Sequence, residues 1–241
     1  MSTIKANTVQ PKDFATDLTL GASGDTVTVA ADSININKVQ DKGGNTLWDY
    51  STGVFVSPKK EFASQNLKLL TTQVASGSSS VSFITGIDST YDVYIFKFLE
   101  IHPQTDSEYI LFDASTDGGS TYGVVKTSSY FYTDHWESDA YSNLGYVSGS
   151  ALQQSTAKQQ LMRDIGNGAD ECGVGQMYLF APSDTTYVKL YYSDCQIYEE
   201  RNASDRSFVG GYLNTTSAIN AIQFSFSTGT FSGTIKMYGL L

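Results

Sequence analysis

The residues best suited to chemistry or recognition cluster between positions 130 and 146. Tyr130-Phe131-Tyr132-Thr133-Asp134-His135-Trp136 is the densest aromatic stretch of the chain, and Tyr141 and Tyr146 follow it. In extended backbone Tyr130 and Tyr132 share one face. Flat rings beside acidic acceptors suit sugars, which stack through their C–H surfaces and hydrogen-bond at the rim. Tyr130, Tyr132, His135 and Trp136 are therefore the candidate glycan-binding residues. The alternative is that these rings pack the segment against the fold or a neighbouring subunit. Asp134, Glu137 and Asp139 stand around Trp136, with Asp170 and Glu171 further along. Hydrolysis of a glycosidic bond needs two carboxylates facing one cleft. Acids clustered in a loop are ordinarily solvated, so the expectation is a protein that is not an enzyme.

Other chemistries fail on spacing. His102 sits in Ile101-His102-Pro103, which reads as a strand end turning outward. No Gly-x-Ser-x-Gly elbow is present. Gly173-Val174-Gly175 lacks the third glycine and the lysine of a phosphate-binding loop. Asp106, Asp113 and Asp117 do not form the spaced D-x-D-x-D-G loop that holds calcium. Cys172 and Cys195 are not spaced as a metal pair, and the two histidines do not complete a Cys/His set. The expectation is no metal, no cofactor and two free thiols. Asn202-Ala203-Ser204 and Asn214-Thr215-Thr216 match the glycosylation sequon and are read as chance matches.

The chain has 241 residues, of which 40% are hydrophobic and 17% charged. Charge is scarce against the roughly one quarter of an ordinary soluble domain. Ser, Thr, Gly and Asn replace it, and Tyr and Phe are abundant. This is the composition of a β-rich protein that avoids long helices. Net charge is −10, and Lys59-Lys60 is the only basic doublet. Such a balance argues against nucleic acid and against an anionic lipid surface as partners. No apolar core follows Met1-Ser2-Thr3-Ile4-Lys5, and no stretch approaches the ~20 apolar residues of a membrane span. The expectation is synthesis in a cytoplasm and no membrane insertion.

These residues need elements to hold them. Leu18/Leu20, Val27/Val29 and Ile34/Ile36 are apolar doublets in strict alternation, separated by turn chemistry at 22–25 and 31–33. Each marks a brief half-buried strand. Strands this short cannot cover their own apolar faces. The simplest cover is an identical chain, so these six residues are read as the interface of an intertwined trimeric stem over 17–57. Residues 1–16 are polar and unpatterned and read as a docking arm. Asp41–Asn45 is a turn followed by Thr46-Leu47-Trp48. Ser57-Pro58-Lys59-Lys60 marks a boundary.

Beyond it, strand-like runs appear near 67–74, 80–85, 91–100, 108–114, 119–127, 176–181, 186–198, 207–213, 218–227 and 233–239. Thr116-Asp117-Gly118-Gly119 reads as a hairpin turn. Short strands without intervening helices predict an all-β fold with a jelly-roll-like β-sandwich over 58–241. A segment at 133–175 interrupts the rhythm as an insertion. Within it, Ser150 to Ile165 predicts one short helix capped at Gly166, with Leu152, Leu161, Met162 and Ile165 as its apolar stripe.

MSTIKANTVQ, then LTLGASGDTVTVA and GGNTLW, are similar to the N-terminal segment of tail-fibre proteins of marine bacteriophages. VSFITGIDSTYDVYIFKF followed by LFDASTDGGSTYG resembles the first strands of their C-terminal β-sandwich, and FSGTIKMYGLL resembles its last strand. The resemblance touches both ends and the middle of the chain. It implies a homotrimeric component of the virion tail, docked by its N-terminus to other tail proteins and carrying a distal β-sandwich. The 133–175 segment has no counterpart in it. Three functions follow as expectations. The first is a tail fibre that attaches the particle to the host, with host-surface glycan as its candidate ligand. The second is a head fibre, decoration or adaptor protein with a purely structural role. The third is a polysaccharide-degrading spike.

Overall fold

The computed structural model describes residues 38–40, 46–49 and 67–240, and all of its described elements are strands. The chain divides into two units, residues 1–63 and 64–241. In the first, β1 (Lys38–Gln40) and β2 (Thr46–Asp49) pair antiparallel, with Val39 opposite Trp48. The expected docking arm and the stem residues Leu18, Leu20, Val27, Val29, Ile34 and Ile36 lie outside the described residues.

The second unit holds β3 (Leu67–Ser78), β4 (Ser80–Phe83), β5 (Val93–Pro103), β6 (Ile110–Ser115), β7 (Lys126–Trp136) and β8 (Ser142–Tyr146). It continues with β9 (Gln159–Gln160), β10 (Gly173–Phe180), β11 (Lys189–Glu199), β12 (Ala203–Leu213), β13 (Ala221–Phe226) and β14 (Phe231–Leu240). Eight strands form one antiparallel sheet in the order β3-β14-β5-β10-β11-β12-β7-β8. Four form the other, in the order β4-β13-β6-β9. The all-β expectation holds.

Period-two alternation explains which residues meet between the sheets. On β5, Tyr94, Phe96 and Phe98 point inward, and on β14 so do Ile235 and Met237; all are buried. From the smaller sheet Phe83 and Phe224 meet them. Phe224 stands edge-on to Phe83, Phe96 and Phe98, at centroid distances of 6.1, 5.3 and 5.1 Å. Edge-to-face contacts of this kind add to the stabilisation from burial alone. A buried ion pair also ties the sheets together. Lys126 Nζ of β7 donates to Asp113 Oδ1 of β6 at 2.5 Å and to the carbonyls of Val124 and Ala157 at 2.9 and 3.2 Å. Burial pushes the Lys126 amine below its ordinary value.

Three sequence expectations are corrected. The run at 119–127 is a loop until Lys126. Gly118 and Gly119, at φ 74° and 86°, turn the chain there, and the Thr121 amide donates to Asp117 Oδ1. The strand instead covers Lys126–Trp136, so the sheet passes straight through position 133. Thr116–Gly119 is a turn but not a hairpin, because β6 and β7 belong to different sheets. The helix expected over 150–165 does not form. Its backbone is taken by neighbouring strands: the Ser128 amide donates to the Leu152 carbonyl, Lys126 and Ser155 exchange both bonds, and the Leu161 amide donates to the Ile110 carbonyl. Leu161, Met162 and Ile165 are buried by this extended path.

Phe224→Ala should lower stability by about 3–5 kcal/mol, since it leaves a void among three rings. Urea unfolding checks this; a loss below about 1 kcal/mol would mean that the ring cluster does not organise the core.

Candidate functional site

Two hairpin turns build the site. β7 and β8 are joined by 137–141, where Asp139 takes φ 57° and its amide donates to the Trp136 carbonyl. β11 and β12 are joined by the three residues 200–202, with Asn202 at φ 55°. A three-residue hairpin loop requires a left-handed last residue, and asparagine tolerates that conformation. The Glu137 amide donates to the Asn202 carbonyl at 3.0 Å and locks the two turns together.

Beside these turns an open cavity of about 570 Å3 lies against β7, β10, β11 and β12. Trp136 closes one end, its ring 5.3 Å from that of Tyr141. His135 Nε2 lies 3.1 Å from Asp139 Oδ1, and both side chains are exposed. Tyr198 donates its hydroxyl to Glu137 Oε1 at 3.2 Å. Gln196 Nε2 donates to Ser204 Oγ at 3.0 Å and to the Asp205 carbonyl at 2.9 Å. The lining thus offers one indole, one phenol, an imidazole, two carboxylates and an amide. It suits hydrogen bonding to a hydroxyl-rich ligand beside an aromatic wall.

Strand register sets Tyr130, Tyr132 and Trp136 on the inner face of β7 and His135 on the outer, and Trp136 reaches the cavity from the strand end. His135 and Trp136 line the cavity. Tyr130 is fully buried, and its hydroxyl pairs with Ser207 Oγ at 2.8 Å. It is a core residue and cannot touch a ligand at the surface. Tyr132 shares that inner face, as alternation requires. It is half-buried, with the Arg163 guanidinium 4.1 Å from its ring centroid. Asp134 also points inward and is buried, so it is not one of the solvated loop acids. Tyr198, Gln196 and Ser204 were not anticipated. They arrive from a hairpin some sixty residues later in the chain, and only the pairings Ser204–His135 and Tyr198–Ser204 bring them beside Trp136.

Behind the cavity, on the inner face of the same strands, lies a buried charge cluster. Arg163 bonds Asp164 at 2.7 Å and approaches Asp205 at 3.6 Å. Arg201 touches the Glu199 carboxylate, lies 3.6 Å from Asp134 and 4.0 Å from Asp164, and sits 5.6 Å from the Trp136 ring centroid. Four carboxylates therefore share two guanidinium groups. Burial pushes the Asp205 carboxyl up to about 7, against the attraction of Arg163. Among the described residues no cluster of His, Cys, Asp or Glu has the arrangement of a metal site. Cys172 and Cys195 are free thiols. No protein-family model, curated protein or solved structure matches the chain.

A buried acid with a raised pKa stabilises the fold only while it holds its proton. The folded Asp205 carboxyl keeps its proton to about pH 7, whereas the unfolded one loses it near 3.8. Its contribution to stability therefore falls as pH rises through that window, on the order of 1 kcal/mol per pH unit. Asp205→Asn should remove this part of the slope and be more stable than the wild type at pH 8. Urea midpoints at pH 5 and pH 8 check this; identical pH dependence of the two proteins would refute it.

Proposed function

We propose that the chain is a homotrimeric bacteriophage tail-fibre protein, made in the host cytoplasm and carried on the virion tail, whose sandwich unit binds a glycan on the host surface. The observation that carries the reading is the open cavity walled by Trp136 and rimmed by His135, Glu137, Tyr198 and Gln196. It sits over paired hairpin turns of a broad sheet, a rigid mount for a recognition site. The resemblance of the N-terminal segment, the sandwich strands and the final strand to marine phage tail fibres supports the same reading. Residues 1–16 are then the arm that docks onto other tail proteins, and 17–57 the stem.

The sandwich is best described as an elaborated jelly roll. Its support is the strand order. Without β7, β8, β11 and β12, the sheets read β3-β14-β5-β10 and β4-β13-β6-β9. Consecutive strands β3/β4, β5/β6, β9/β10 and β13/β14 then fall in opposite sheets, as two interlocked Greek keys demand. The hairpins β7–β8 and β11–β12 are additions to that plan, and both contribute to the cavity.

Recognition fits the site better than hydrolysis. Asp134 faces away from the cavity and is engaged by Arg201. Glu137 is held by Tyr198, and Asp139 stands beside His135. Two free carboxylates on opposite sides of one bond are what a glycosidase requires.

Light scattering on the full chain should give three times the mass of 26.2 kDa; a monomer at micromolar concentration would overturn the trimer. Trp136→Ala should lower the adsorption of particles to cells strongly while the trimer remains folded. Loss of one stacking contact costs roughly 1–3 kcal/mol per site, judged from planar bases, and three linked sites amplify it. Unchanged adsorption together with a lowered melting temperature would make Trp136 a packing residue.

A further inference from the structure

The cavity does not stop at Gln196. A second depression of about 430 Å3 shares Val174 and Gln196 with it and continues toward Lys97, Gln176 and Arg206. Strand register shows why the two are collinear. Outward-facing residues stand in successive cross-strand rows. Tyr198 and Ser204 pair in the first, Val174, Gln196 and Arg206 in the second, and Lys97, Gln176 and Asp194 in the third. From Asp194 to Tyr198 at ~3.3 Å per residue the rows span ~13 Å, and the turn residues around Trp136 extend the depression further. That is longer than one sugar ring.

A bulge in β5 lies beside this line. β5 carries one extra residue between Leu99 and Ile101 against both of its neighbours, β10 and β14, and Glu100 takes φ 52° there. A bulge sharpens the twist and re-aims the strand. Across from it Gly175 lets β10 press against β11: a Cβ there would lie 2.6 Å from the Asp194 carbonyl oxygen.

Its charge restricts the ligand. The end at Trp136 is lined by Glu137 and Asp139 and by no lysine or arginine. At the other end Arg206 is spent on a two-pronged bond to Asp194, at 2.8 and 2.6 Å. A uronate or sialate against Trp136 would meet carboxylates and no free guanidinium; Lys97, at the far end, lies over the Tyr238 ring, 5.6 Å from its centroid. We infer that the two depressions form one trough that holds an uncharged linear oligosaccharide along β10 and β11, with one end against Trp136; this rests on the glycan reading above.

The test is binding of the full-length protein to an array of neutral, N-acetylated, sialylated and uronate-containing glycans, each from a single sugar to a hexasaccharide. Neutral glycans should bind, with affinity rising about tenfold or more from the shortest to the longest, equivalent to about 1.4 kcal/mol. Val174→Trp, at the exposed junction of the two depressions, should abolish that gain and spare the shortest ligands. Lys97→Ala, at the far end, should weaken only the longest. Affinity independent of length, or equal losses for short and long ligands in Val174→Trp, would overturn the trough and leave the glycan reading standing. Preference for acidic glycans would overturn the charge argument. Binding to none of them would refute the glycan reading and the trough together.

Discussion

The inner face of the eight-stranded sheet is twice as wide, in strands, as the four-stranded sheet opposite it, and most of what distinguishes this protein follows from that mismatch. Over β3, β14, β5 and β10 the two sheets meet and bury an aromatic core. Toward β7 the smaller sheet reaches only through its edge, where Asp113 of β6 bonds Lys126 and Gln159 of β9 bonds Ser128. A sheet face left to water would strip the fold of apolar cover; one left apolar and open would aggregate. The chain resolves this with the segment 147–172, an irregular path that includes β9 and is bonded to β6 and β7. Leu161, Met162 and Ile165 supply its apolar cover.

The cover is irregular, so the face beneath it is not purely apolar. Lys126, Asp134, Lys189, Glu199 and Asp205 all point inward and are buried. Burying a charge is costly unless it is paired and hydrogen-bonded. The lysines are engaged, whereas Asp134 and Asp205 each leave one buried carboxyl oxygen without a hydrogen bond and lie 3.6 Å from a guanidinium. Lys126 has Asp113 and two carbonyls, Lys189 donates to the carbonyls of Tyr187 and Thr215, and the carboxylates share Arg163 and Arg201. Arginine suits the last task because its planar fork can serve several carboxylates at once. Four acids against two guanidiniums still leave an excess of negative charge, and the Asp205 proton relieves it.

The same inward polarity decided what the sequence could reveal. Alternation in Val81/Phe83, Ile222/Phe224/Phe226 and Ile235/Met237 located strands and their core faces directly, whereas Val93/Ile95 marked the outer face of β5, whose core face is Tyr94, Phe96 and Phe98. The pairing of Tyr130 with Tyr132 on one face was also legible. Which face it was could not be read, because Lys126 and Asp134 share it and break the rule that polar residues point outward. The segment 150–165 misled for a related reason. Its Gln, Ala and Lys suit a helix when water is the alternative, but here two strands offer backbone partners that a helix would forgo. Tyr198, Gln196 and Ser204 were invisible as site residues because strand register, not local sequence, places them beside His135.

The cavity and the charge cluster are two faces of one stretch of sheet. On β7, Asp134 is inside, His135 outside, and Trp136 caps the strand end. On β12, Ser204 faces the cavity and Asp205 the cluster; on β11, Tyr198 and Glu199 divide in the same way. Arg201 joins them, since its guanidinium reaches Glu199 and Asp134 and also lies near the Trp136 ring. The Trp136 ring therefore has beside it a guanidinium whose own position is set by buried carboxylates. The buried carboxylates of the inner face thus hold Arg201, and Arg201 lies beside a ring that lines the cavity.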